Sequence, residues 1–138
     1  MPAKVLDAWA LMGWLQGEEP VTARVRKMFQ RAQSRRLDLA MSWINLGEVY
    51  YLLAKRHGGT HADQFLSDLA LIPLRPVVPD ERTIIGAARW KSQFPISYTD
   101  AFALETARQR QARLVTGDPE LRLLAARDPL VKLEWVGR

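Results

Sequence analysis

The chain has 138 residues, 48% of them hydrophobic and 25% charged, a balance that excludes disorder and fits one domain spanning residues 1–138 with a real core. Lys and Arg number 20 against 15 Asp and Glu, a formal net charge of +5, so the surface favours polyanions such as nucleic acid. The absence of cysteine excludes a disulfide framework, a thiolate metal site and a cysteine nucleophile together, leaving oxygen and histidine as ligands for any metal.

In chain order, Lys4-Val5-Leu6 reads as a short buried strand, and an apolar helix through Leu11, Trp14 and Leu15 follows it and ends at Gly17. This start carries Asp7 where a signal peptide would be uninterrupted, and it is too short to span a bilayer, so a cytoplasmic protein without a membrane role is expected. A second helix runs from after Pro20 to about Arg35. Val21, Val25, Met28 and Phe29 form its apolar side, and Arg24, Lys27, Arg31 and Arg35 lie opposite. Leu39-Ala40-Met41 is a strand, and Ser42 caps a long helix from Trp43 to Arg56 that Gly58-Gly59 closes. Thr60 to Leu71 is a further helix. Leu74 to Val78, interrupted by Pro76, is a short strand, and Asp80 opens a helix to about Gln93. Ser97 opens the next helix, which reaches about Arg110. Arg113 to Val115 is a strand, Pro119 to Ala126 a short helix, and Val131 to Trp135 a last strand. Short strands separated by helices predict an α/β fold, a short-stranded parallel sheet flanked by helices on both faces.

In such sheets ligands bind beyond the carboxyl ends of the strands, where Asp7 and Asp118 stand. Either could serve only as the cap of the next helix. Asp100 heads the core-facing stripe Asp100, Ala103, Leu104 and Ala107, where a bare charge is costly and must be capped, paired or metal-bound. Glu48 sits mid-helix among Leu46, Val49 and Tyr50, with Asn45 one turn back on the same side. Together the four suggest an oxygen-lined site for a hard divalent cation, Mg²⁺ rather than Zn²⁺. His57 and His61 read as surface residues of a loop around Gly58-Gly59. Neither a phosphate-binding glycine loop nor a serine-nucleophile elbow is present.

The segments VLDAWALMGWL, INLGEVYY, ISYTDAFALETA and LVTGDPEL, in this order, resemble the four acidic motifs of PIN-domain ribonucleases, more narrowly the VapC-type toxins of toxin–antitoxin pairs. The resemblance covers nearly the whole chain. It places Asp7, Glu48, Asp100 and Asp118 on the family's acidic positions, Thr116 on the small polar position before the last acid, and Asn45 on the polar position before the glutamate. It implies a Mg²⁺- or Mn²⁺-dependent endoribonuclease with RNA as substrate, a cognate antitoxin as partner and a homodimer as the working form. One departure is Trp9, where the family often has a small hydroxyl residue two places after the first aspartate. Trp9 is also the one feature that supports the alternative, a non-catalytic PIN-like module that binds RNA or protein. The aromatic surplus Trp9, Trp14, Trp43, Tyr50 and Tyr51 fits either core packing or part of a partner surface.

Overall fold

The computed structural model describes all 138 residues. Five strands, β1 (Ala3–Leu6), β2 (Asp38–Ser42), β3 (Arg75–Val77), β4 (Arg113–Thr116) and β5 (Leu133–Trp135), form one sheet in the order β3-β2-β1-β4-β5. All four pairings are parallel. Seven helices connect them: α1 (Ala8–Leu15), α2 (Val21–Gln33), α3 (Trp43–His57), α4 (Gly59–Asp68), α5 (Glu81–Gln93), α6 (Tyr98–Gln109) and α7 (Pro119–Arg127).

Successive strand residues point to opposite faces, and the core divides accordingly. Leu6, Met41 and Val115 join one apolar cluster with Leu11, Val25 and Val49. Val5, Ala40 and Leu114 join a second with Phe102, Leu104 and Leu121. The central strands are therefore apolar on both sides, as a parallel sheet covered by helices requires. Pro76 is tolerated because β3 is an edge strand.

The expected elements all form, with local differences. α2 stops at Gln33, and Arg35 takes a left-handed φ of 59°, so the last member of the basic stripe lies off the helix. The helix expected from Thr60 to Leu71 begins at Gly59 and ends at Asp68, after which the chain tightens into a 3₁₀ turn over Leu69–Leu71. The turn before it is made by Gly58 alone, whose φ of 96° suits a residue without Cβ. His57 and His61 are exposed as expected but stand on α3 and α4 rather than in a loop.

The strand order reverses between β1 and β4. From β1 the chain builds outward through β2 and β3, then returns to add β4 and β5 on the other side. That is a topological switch point, where the loops leaving two adjacent strands part and leave a crevice.

Candidate active site

Asp7 leaves β1 and Asp118 follows β4 by two residues, so the crevice at the switch point is flanked by both. Asp7 is 1% exposed and caps α1, its Oδ1 accepting from the Ala10 amide at 2.8 Å. Its Oδ2 accepts from the Thr116 hydroxyl at 2.5 Å. The Thr116 oxygen in turn accepts from the Asp118 amide at 3.0 Å, so one buried hydroxyl ties the two strand-end acids together. Asp118 caps α7 by accepting from the Glu120 amide at 2.9 Å.

Asp100 arrives from the first turn of α6. Ser97 caps that helix by accepting from the Asp100 amide at 3.1 Å, and the Asp100 side chain lies close to both Ser97 and Asp118. Asp100, Asp118 and Glu120 each offer a carboxylate oxygen, and these atoms lie within 4.8 Å of one another. Glu48 stands on α3 and lines the same cleft of about 300 Å³ as Asp100 and Asp118. Of the four acids expected to converge, Asp100 and Asp118 are in closest company. Asp7 lies buried behind them and Glu48 across the cleft.

The sequence reading missed Glu120 as a site residue and gave it only the positive end of its helix. A signal was present: in the first turn of α7, Glu120 follows Asp118 by two residues, and helical side chains lean back towards the N-terminus. Asn45 is fully buried and donates from Nδ2 to the Thr99 carbonyl at 2.9 Å, bracing α3 against the start of α6. Its Oδ1 has no partner.

The electrostatics show how costly the gathering is. Burial pushes the Asp7 carboxyl up to about 8, with the Asp100 and Asp118 charges adding to it against the hydrogen bonds from Thr116 and Ala10. Burial also pushes Asp100 up to about 7, aided by the Asp118 charge, a hydrogen bond shared with Asp118 and the Glu48 charge. A bound cation would offset this repulsion and favour the ionised carboxylates. An all-oxygen donor set and two carboxyls lifted by burial and mutual repulsion fit a hard divalent ion.

Trp9 lines the cleft without closing it. Its indole packs so tightly on Gly117 that a Cβ there would fall 2.1 Å from the ring. The indole therefore sits at the edge of the pocket in the space that the missing side chain of Gly117, the residue before Asp118, leaves open.

The PIN-domain family model matches residues 4–127. Among solved structures the chain is similar to VapC20 of Mycobacterium tuberculosis, a sarcin–ricin-loop-cleaving toxin, with a TM-score of 0.67 and 16% identity over 89% of this chain and 94% of that one. It is similar to the DNA-bound VapBC of Salmonella typhimurium, with a TM-score of 0.71 and 18% identity over 97% of this chain and 98% of that one. A toxin–antitoxin complex from Klebsiella pneumoniae matches with a TM-score of 0.62 and 16% identity over 85% and 88%. No curated protein matches the sequence significantly.

Proposed function

The chain belongs to the PIN-domain family, and from that premise we propose that it is a metal-dependent endoribonuclease, the toxin of a toxin–antitoxin pair. The observation that carries the reading is the meeting of Asp100, Asp118 and Glu120 oxygens at the switch point of the sheet, with Asp7 buried behind them.

Asp100 and Asp118 would hold Mg²⁺ or Mn²⁺, with Asp7, Glu48 and Glu120 completing the charge around it. When bound, such an ion lowers the pKa of a water and offsets charge on the attacked phosphate of RNA. The residues of the chain set the geometry. Thr116 fixes the Asp7 carboxyl and the start of α7 through one oxygen. Asn45 holds α3 against α6, and so sets Glu48 opposite Asp100. The alternative of a non-catalytic module rests on Trp9, and with its indole packed on Gly117 the carboxylates of Glu48, Asp100 and Asp118 still line the cleft.

The partner reading rests on a groove of about 900 Å³ that shares Gln16, Glu18 and Arg56 with the acidic cleft, its apolar side formed by Trp14, Leu15, Leu53, Phe65 and Ile72 and the remainder largely polar. We assign this groove to an antitoxin segment with apolar side chains. The homodimer follows from the family resemblance, and the exposed Trp43 and Tyr51 of α3 offer apolar area for it. No helix is long and apolar enough to cross a membrane.

The test is cleavage of structured and unstructured RNA by the purified protein. Cleavage should require Mg²⁺ or Mn²⁺, stop with EDTA, and be lost in Asp100→Asn while the melting curve of that variant stays cooperative. Cleavage that survives both chelation and the substitution would reject the metal-dependent mechanism.

A further inference from the structure

The cleft beside Asp100 and Asp118 is lined by four carboxylates, the others being Glu18 and Glu48, and by one cation, Arg56. A polyanion entering it meets repulsion from every ionised acid, so the position of the single guanidinium matters. Arg56 takes no part in the ion pairs of the chain, which are Lys4–Glu134, Arg75–Asp38, Arg108–Glu105 and Arg110–Asp38. It is held instead by Gln16. With the Gln16 amide turned to satisfy both neighbours, its oxygen accepts from Arg56 Nη1 at 2.7 Å and its nitrogen donates to Glu18 Oε1 at 3.1 Å. A neutral amide thus bridges the guanidinium and Glu18, and Arg56 stands where the acidic cleft meets the larger groove, lining both.

Two helices measure the backbone separation between Arg56 and the acids. Glu48, Leu52 and Arg56 follow one another at intervals of four along α3 and all line the cleft. Eight residues of helix put Arg56 about 12 Å beyond Glu48. Along α1, Gln16 lies nine residues beyond Asp7, or about 13 Å. Both distances exceed the span of one phosphate group. The basic stripe on α2 supplies no rival, because none of its members lines the cleft and Arg24 is bound to the Gly137 carbonyl at 2.5 Å.

We infer that Arg56 is a phosphate clamp, binding a backbone phosphate of the RNA that flanks the bond cut at the acidic cluster. The planar guanidinium suits a phosphate, offering two parallel N–H groups to two oxygens. Gln16 is the positioning residue that keeps it off Glu18. The inference rests on the ribonuclease reading above and adds to it where the strand runs: from the acids along α3 towards the end of α1.

The experiment is steady-state cleavage of a defined oligoribonucleotide in Mg²⁺ at several salt concentrations, by the parent, Arg56→Ala, Arg56→Gln and Arg56→Lys. Arg56 is exposed, so the variants should melt with the parent. Arg56→Ala and Arg56→Gln should raise KM about tenfold, the weight of one charge-assisted contact, with kcat within about twofold. Arg56→Lys should fall between. The salt dependence of log KM should flatten by about 0.7, one phosphate contact on a single strand. On a dinucleotide spanning only the cut bond, all four proteins should behave alike. An unchanged KM on the long substrate overturns the clamp, and so does a loss of kcat alone or an equal defect on the dinucleotide, because each removes the flanking contact. If the parent itself cleaves nothing, the ribonuclease reading fails and takes the clamp with it, an outcome visible without any Arg56 variant.

Discussion

Asp118 shows why one residue can be read in two ways from sequence and satisfy both. Its carboxylate accepts the Glu120 amide as a helix cap and still offers an oxygen to the cluster with Asp100 and Glu120. Capping and metal ligation need the same thing, an acid at a helix start. Asp7, Asp100 and Asp118 stand out as candidates in the sequence because each lies at or within the first turn of a helix beside an apolar strand or stripe. Arg56 was not legible, because its place depends on how α1 packs on α3. Gly117 is in the same class: nothing in Thr-Gly-Asp says that an indole 108 positions earlier needs the space. The Gly117→Ala substitution should therefore destabilise by about 1–3 kcal/mol, the cost of overpacking, as Trp9 is driven from its seat. With Trp9→Ser, the same alanine should cost almost nothing. Melting temperatures of the parent, both single variants and the double variant measure this, and additive losses would show that Gly117 serves the backbone rather than the ring.

At the scale of elements, starts were more legible than ends. Ser42, Asp80, Ser97 and Asp118 all cap the helices they precede, each through its own side chain. Ends drifted at α2 and α4, where no proline or terminal glycine stops the helix and packing decides. The contact of α5 with α6 was illegible for a different reason. Glu105 on α6 is 2% exposed and turned into the protein against Gly86 of α5, where a Cβ would fall 2.4 Å from its carboxylate. Burial pushes this carboxyl up, but hydrogen bonds from Arg108, Gln109 and Trp90 outweigh it and hold it below the usual range. The network fixes Glu105 where it cannot yield. Gly86→Ala should lower stability by about 1–3 kcal/mol in urea unfolding. In a Glu105→Ala background the added methyl should cost far less, since its obstacle is gone. Equal penalties in the two backgrounds would place the strain elsewhere.

For the whole molecule, alternating strands and helices in the sequence predict the parallel sheet, but strand order is a long-range property. No local pattern says that β4 returns to pair with β1, and that pairing alone brings Asp118 beside Asp7. The return concentrates acids in a chain whose formal net charge is +5, and stability must register it. Asp7 and Asp100 have folded-state pKa values raised to about 8 and about 7, so between the ordinary carboxylate range and those values the folded state binds more protons than the unfolded chain. Their contribution is complete at low pH and is lost as pH rises through the folded values. Asp80 and Glu105 act oppositely, since their lowered values make stability fall only as pH drops through the acid range. Above about pH 5.5 the first pair should dominate, and the melting temperature in EDTA should fall steadily to about pH 8.5. A divalent ion competes with the same protons, so the rise it gives should be small at the acid end and large at the alkaline end. Melting curves across that window, with EDTA and with Mg²⁺, decide the matter. A flat profile in EDTA would mean that the acids are not strained in the folded protein. A Mg²⁺ increment independent of pH would mean that the ion binds away from Asp100 and from the charge of Asp7 behind it.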